Sequence, residues 1–312
     1  MTLNSSDNPL HADKNRLLFV GAAHVDDVAV SASALIPRAS NPVVWQRYLG
    51  GVASNSARAA ARTAMSGTQV TFSAAVGDDA AGRQVEATLK KCAIDPHLIF
   101  LSGAPTGRYS AIMDADGELH IGLSDVATAE CLTLDALQLV VDLTGADAVM
   151  LDTNLSQICL AQLAATCSER KIPLAAMSVS PAKAVRLLPF AKAVTLLFCN
   201  RREALALCPP LSLDSTIDAL ADGLLRQGFS RFVLTDGHSP LVVQDDNERH
   251  TVPVPDVEHT HHVNGAGDAL AGATFAAWTE GLSLLDATRE RGLIDAAQSV
   301  AGHRPAPAIE ER

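Results

Sequence analysis

Residues 261–275, HHVNGAGDALAGATF, place a carboxylate directly behind a glycine-rich turn. Gly265 and Gly267 leave the backbone bare and permit the positive φ angles that turn successive N–H groups toward one point. After Asp268, the residues Leu270, Ala271, Ala273, Phe275, Ala276 and Trp278 recur at a spacing that suits one face of a helix. The loop thus ends where a helix begins, and a helix N-terminus offers free N–H groups to a phosphate. A carboxylate at that point could accept the proton of an incoming hydroxyl. The chemistry so outlined is phosphoryl transfer to an alcohol. Gly-x-Gly-Asp before a helix also describes an ordinary loop with an Asp N-cap, and the motif alone leaves both readings open. A Gly-Lys-Ser/Thr loop is absent, as is a Gly-x-Gly-x-x-Gly opening a first strand–helix unit.

The elements that must hold this loop follow a strand–helix rhythm. Leu17 to Asp26 reads as one buried strand ending on an acidic residue. Ala53–Met65 predicts an Ala-rich helix, Val70–Val76 a strand and Ala80–Cys92 a helix. Further on, strands are expected over 147–151, 172–179, 194–199 and 231–235, with helices over 156–170 and 214–226. Continuous apolar strands alternating with helices imply a mainly parallel sheet, doubly wound, with helices on both faces. Two pieces break the rhythm: 27–48, with strand-like Val28–Ser31 and Val43–Tyr48, and 106–123, a hairpin of Arg108–Met113 with Leu119–Leu123. They predict a small separate β-sheet, a lid. In an open parallel sheet ligands gather at the carboxyl ends of strands. The polar residues there are Asp26, Asp79, Asp152 with Asn154, Asn200 with Glu203, and Thr235 with Gly237; any one of them could equally be a helix cap.

Composition bounds the rest. Of 312 residues 48% are hydrophobic but only 4% aromatic, so the core must be built from Ala, Leu and Val. The formal net charge of −11 argues against a general nucleic-acid binder. No apolar run approaches the roughly 18 residues of a membrane span, and the polar N-terminus lacks the apolar centre of a signal peptide; a cytoplasmic location is expected. Residues 1–15 read as a disordered lead-in, 16–303 as one domain and 304–312 as a tail. The six cysteines contain no CxxC pair and are expected as mostly buried, reduced thiols.

Taken together, the chain resembles the ribokinase-like family, the PfkB carbohydrate and nucleoside kinases. Gly50-Gly51-Val-Ala-Ser-Asn55-Ser-Ala57 matches the family's Gly-Gly-x-x-x-Asn-x-Ala, and Gly265-Ala-Gly-Asp268 its Gly-Ala-Gly-Asp. Val76-Gly-Asp-Asp79-x-x-Gly82 and Asn200-x-x-Glu203 lie between them in the expected order. Within the family the likeness is greatest to pseudouridine kinases, through Tyr109-Ser-Ala-Ile-Met-Asp114, Asp125, Asp152-Thr-Asn154-Leu155 and Val179-Ser180 with Lys183. The resemblance implies a ribokinase-like α/β fold with a β-lid. It also implies an ATP- and Mg²⁺-dependent kinase for the primary 5′-hydroxyl of a ribose-containing substrate, foremost pseudouridine. Asp268 would be the catalytic base, and the N–H groups of Gly265, Ala266 and Gly267 would hold the charge on the transferring phosphoryl group. Asp26, Gly51, Asn55 and Asn154 would bind the sugar. Asn200, Thr235, Gly237 and Asn264 would lie by the nucleotide, and Glu203 by the metal. The partners implied are a small sugar or nucleoside and ATP, with a homodimer formed through the lid. The alternatives are a kinase for another nucleoside or for a simple sugar such as ribose or fructose, and a non-catalytic sugar- or nucleotide-binding member of the family.

The chain departs from the pattern in three places. His262 stands where the family has an Asp that helps to coordinate a monovalent cation such as K⁺, and an imidazole is a poor K⁺ ligand; Asn264 replaces a Thr. Pro240 takes a position often held by Gly, which predicts one backbone N–H fewer near the nucleotide. Met177-Ser178 stands where pseudouridine kinases tend to have Asp-Pro.

Overall fold

Leu17–Val20 carries apolar side chains at every position, so both of its faces must be covered. The structure, a computed structural model, describes residues 15–115, 119–257, 265–302 and 308. It places β1 (Arg16–Val20) inside a nine-stranded sheet. Leu17 and Phe19 face one layer of helices, and Leu18 and Val20 face the other. The remaining strands of this sheet are β4 (Gln69–Gly77), β5 (Asp95–Leu101), β8 (Ala148–Asp152), β9 (Leu174–Met177), β10 (Leu196–Asn200), β11 (Arg231–Asp236), β12 (Ser239–Asp245) and β13 (Glu248–Val252). Their order is β13-β12-β11-β10-β9-β8-β1-β4-β5. β5 through β11 run parallel, and β12 and β13 add an antiparallel edge.

The second sheet has the order β3-β2-β6-β7, from β2 (His24–Ser31), β3 (Val43–Gly50), β6 (Arg108–Met113) and β7 (Leu119–Asp125). Here the sequence reading needs correction. Leu17 to Asp26 is not one strand: it breaks at Gly21-Ala22-Ala23, and from His24 the chain belongs to the small sheet. The run is apolar from Leu17 to Ala23, across the break, so hydropathy gives no sign of it; the small residues at 21–23 do. Asp26 is accordingly the third residue of a lid strand, paired with Tyr48 on β3 and Tyr109 on β6, and does not end a strand of the main sheet. β5 and the β12–β13 hairpin are further strands that the rhythm did not predict.

The helices are α1 (Val52–Thr63), α2 (Ala80–Lys91), α3 (Leu134–Val140), α4 (Gln157–Arg170), α5 (Pro181–Ala184), α6 (Arg201–Leu207), α7 (Ile217–Gln227), α8 (Ala266–Thr279), α9 (Leu284–Ala287) and α10 (Leu293–Val300). α8 is buried without interruption from Ala269 to Ala277, as expected of a helix apolar all round. It packs against α1 and the sheet, with Phe275 edge-on to Phe19 at a centroid distance of 5.7 Å. A side chain at Gly272 would overlap the Ser56 carbonyl, so the two helices meet backbone to backbone there.

The topology reverses at β1. The chain runs from β1 through the lid to β4 and β5, then returns to β8 on the other side of β1. A crevice opens at such a switch point, and fully buried Asp152 fills its base. Its carboxylate accepts hydrogen bonds from the N–H groups of Ala22 (3.1 Å), Ala53 (3.0 Å) and Asn154 (2.8 Å). One side chain thereby ties the end of β8 to the exit of β1 and the start of α1.

Of the six cysteines, Cys159, Cys167, Cys199 and Cys208 are buried, Cys92 is half-buried and Cys131 exposed; none is in a disulfide. No helix among the described residues is long and apolar enough to cross a membrane. Residues 1–14 of the expected lead-in and most of the tail lie outside the described residues, while Ala308 bridges to Tyr48 of β3.

Candidate active site

The site forms where α1 and α8 begin, because both helices start at the lid-side rim of the sheet. α1 follows Gly50-Gly51 at the exit of β3. Gly51 has φ +105°, and a side chain there would overlap the Ala22 carbonyl, so glycine is required on both counts. α8 follows Gly265 at φ +88° and has no side-chain cap. Its first N–H groups, on Ala266, Gly267 and Asp268, have no partner within the helix. A Cβ at Gly267 would meet nothing within 4 Å, so the space in front of that backbone is open.

Asp268, half-buried, stands in the first turn of α8. Asn55 of α1 donates from Nδ2 to its Oδ2 at 2.7 Å, and the Ser56 hydroxyl donates to its main-chain carbonyl at 3.1 Å. Burial pushes the Asp268 carboxyl up to about 7; the Asn55 bond opposes the rise, Asp152 adds to it, Arg58 opposes it and Glu203 adds to it. A carboxyl that titrates near neutrality can take up and give back a proton under working conditions.

On the lid side, a side chain at Gly50 would overlap the Asp26 carboxylate. Asp26 Oδ1 is buried without a hydrogen-bond partner among the described residues; His24 Nδ1 lies 2.8 Å away but out of hydrogen-bond geometry. An orphaned buried carboxylate oxygen suits a hydroxyl donor. Asn154, also assigned to the sugar, is almost wholly buried and accepts from Lys183 Nζ at 2.8 Å. Burial lowers the Lys183 ammonium's pKa, and neighbouring Arg186 lowers it further.

On the other side of Asp268 a cleft of about 910 Å³ is lined by Asn200, Thr235, Gly237, His238, Ala266 and Gly267, among others. Asn200 and Thr235 are neighbours in register at the ends of β10 and β11, and Gly237 makes the turn into β12 at φ +62°. Asn200 and Glu203 form a capping box at the start of α6. The Glu203 N–H donates to Asn200 Oδ1 at 3.0 Å, and the Asn200 N–H donates to Glu203 Oε2 at 2.9 Å. Ser178 Oγ also donates to Glu203 Oε2, at 2.7 Å. Burial nonetheless raises the Glu203 carboxyl, against the bonds from the Asn200 N–H, the Ser178 hydroxyl and the Asn200 side chain. Pro240 sits exposed where the β11–β12 register shifts, at a point that needs no ladder N–H.

The structure thus draws Asn55, Gly265 and Asp268 together, with Asp26 and Gly51 on the lid side and Asn200, Thr235, Gly237, Ala266 and Gly267 on the cleft side. Asp79, grouped with the rim residues on sequence, has a different occupation. It caps α2 and accepts from Gly82 N (2.8 Å), Thr106 N (2.8 Å) and Thr106 Oγ1 (2.6 Å), fixing the approach to β6. Asn264 and the histidines His259, His261 and His262 lie outside the described residues. Sequence reasoning missed Arg58, whose guanidinium donates to Asn55 Oδ1. The available signal was a basic residue in the middle of an Ala-rich helix, three positions after Asn55 and so on its face.

Solved structures share this architecture. A carbohydrate kinase from Agrobacterium tumefaciens superposes with a TM-score of 0.80 at 29% identity, covering 94% of both chains. The ribokinase of Giardia lamblia superposes with a TM-score of 0.78 at 19% identity over 92% of this chain and 93% of that one. The fold is that of the ribokinase-like kinases, phosphotransferases with an alcohol as acceptor. The model of the pfkB family carbohydrate kinases matches residues 14–301, and the chain belongs to that family. Among relatives, Escherichia coli pseudouridine kinase is 25% identical over 286 residues, 89% of this chain and 88% of that protein. Guanosine-inosine kinase of Exiguobacterium acetylicum is 28% identical over 284 residues, 88% and 91% of the two chains.

Proposed function

We propose that this kinase transfers the γ-phosphoryl group of ATP to the primary 5′-hydroxyl of a ribose-containing substrate, with pseudouridine the foremost acceptor. The observation that carries the reading is the Asp268 carboxylate, bonded to Asn55 at the uncapped N-terminus of α8, between an orphaned sugar-side oxygen and an open cleft. Asp26 and Asn55 hold ribose hydroxyls, with Gly51 leaving room beside them and Asn154 braced behind by Lys183. Asp268 accepts the 5′-hydroxyl proton as that oxygen bonds to the γ-phosphorus and the bond to the β-phosphate oxygen breaks. The N–H groups of Gly265, Ala266 and Gly267 stabilise the charge on the equatorial oxygens. Thr235 and Gly237 line the cleft that receives the nucleotide, with Asn264 assigned beside them.

The donor set fits a hydrated Mg²⁺. Among the described residues no three or more His, Cys, Asp or Glu gather into a metal cage. Glu203, with Asn200, offers one carboxylate whose ionised form a cation would favour, which suits an ion that keeps its waters and binds chiefly to phosphate. When bound, Mg²⁺ neutralises phosphate charge during transfer.

Pseudouridine is favoured by the match to a pseudouridine kinase along nearly the whole chain. A purine nucleoside is the second reading, favoured by the match to guanosine-inosine kinase. Coupled ADP-release assays with pseudouridine, uridine, inosine, guanosine, ribose and fructose decide between them. The highest kcat/KM is expected for pseudouridine. A preference for free ribose or fructose would overturn the nucleoside assignment, and no ATP turnover with any acceptor would overturn catalysis in favour of a binding role.

A further inference from the structure

Arg58 lies in the middle of an Ala-rich helix, and it is 6% exposed. Burying a guanidinium costs several kcal/mol unless partners compensate. Its Nη2 donates to the Leu49 carbonyl at 3.1 Å and to Asn55 Oδ1, while its Nε is buried without a partner. The contacts it does make therefore join two places: the end of lid strand β3, and the amide that bonds the Asp268 carboxylate.

The chemistry of the two side chains fixes the direction of the relay. A guanidinium has only donors, so it can bond only the oxygen end of the Asn55 carboxamide. With Oδ1 turned to Arg58, Nδ2 must point the other way, and there it meets Asp268 Oδ2. The flipped amide would set donor against donor at Arg58 and oxygen against carboxylate at Asp268. We propose that Arg58 is a positioning residue, which locks the Asn55 carboxamide in the orientation that donates to Asp268 and couples that orientation to the exit of the lid. The proposal rests on the reading of Asp268 as the base.

The charged groups around this chain of contacts are few. Asp268 is faced by Asp152 from β8, Glu203 from α6 and Arg58 from α1; Arg58 is faced by Cys92, Arg62, Asp26 and Asp268. Burial lowers the Arg58 guanidinium to about 10, which leaves it charged through the neutral range. Removing it takes away both the lock on Asn55 and a positive charge, and both losses favour the protonated form of Asp268.

The test is a ¹³C-NMR titration of the Asp268 carboxyl in full-length wild type, Arg58→Met and Arg58→Lys, with the resonance assigned by its loss in Asp268→Asn. In Arg58→Met the midpoint is expected to rise by about one pH unit, and Arg58→Lys, which keeps the charge and places its donors on a single nitrogen, is expected to restore part of the shift. The alkaline plateau of kcat is expected to move with it, measured with pseudouridine or with the best acceptor of the panel. Arg58→Gln, which keeps a donor without the charge, serves if the methionine variant does not unfold cooperatively. An unchanged Asp268 titration in a folded variant would overturn the proposal. A wild-type kcat profile that ignores the Asp268 titration would sink the base, and the positioning of a catalytic base with it, while the carboxyl shift would still show whether the contact exists.

Discussion

Two aspartates in this chain stand at the beginnings of helices that pack on the main sheet, and they behave in opposite ways. Asp79 at α2 accepts three hydrogen bonds, from Gly82 N, Thr106 N and Thr106 Oγ1. Burial works to raise its carboxyl, but these bonds outweigh burial and hold it below the usual value. Asp268 at α8 accepts a side-chain bond from Asn55, and burial carries its carboxyl up to about 7. Residue type and nearness to a helix N-terminus do not separate a structural carboxylate from the one proposed to react. The depth of burial, together with the number of donors already committed to the carboxylate, does. A carboxylate with its lone pairs engaged by its own fold has nothing left for a substrate hydroxyl.

The comparison can be broken by three measurements. The largest effect is expected from Asp268→Asn, which should lower kcat about 10²–10⁴-fold with KM for the acceptor little changed. Near-wild-type turnover would mean that Asp268 is as structural as Asp79. Next, Asp79→Ala should cost about 1–3 kcal/mol of stability in urea unfolding, with kcat per folded molecule close to wild type. A loss of turnover without a loss of stability would erase the distinction from the other side.

The smallest effect concerns pH. Asp268 has a folded pKa near 7, above its unfolded value, so the folded state binds the extra proton and loses stability as pH rises between the two values. Asp79 has the opposite sign: its folded pKa is depressed, so its contribution is present above the unfolded pKa and fades as pH falls through the folded one. Asp268→Asn is therefore expected to be more stable than wild type at pH 8, by about 1–3 kcal/mol, and to differ little at pH 4. Equal melting curves for the two proteins at pH 8 would show that the folded carboxyl is not perturbed.

Much of this arrangement was readable before the fold was known, for physical reasons that differ from element to element. The interior strands β1, β4, β8, β10 and β11 are covered on both faces, so they appear as unbroken apolar runs. β5 escaped notice because it is an edge strand carrying Pro96 and His97, and β12–β13 because an edge hairpin tolerates Gln244, Asp245 and Arg249. The glycines around Asn55 and Asp268 announced the site: close approach demands Gly50 and Gly51, and a positive φ favours glycine at 265. Asp26 was found as a candidate but set on the wrong element. Arg58 was missed because its burial depends on the fold: one of its acceptors, Asn55, is on its own helix, but the other is the Leu49 carbonyl at the end of a lid strand.

The contact of Gly272 with the Ser56 carbonyl sets a limit on how this enzyme can be re-engineered. The separation between Asp268 and Asn55 is set by two helix backbones that touch one residue beyond Asn55 and one helical turn beyond Asp268. A library aimed at a new acceptor should therefore leave the α1–α8 seam untouched and draw its diversity from the lid strands, where side chains can change size without resetting that gauge.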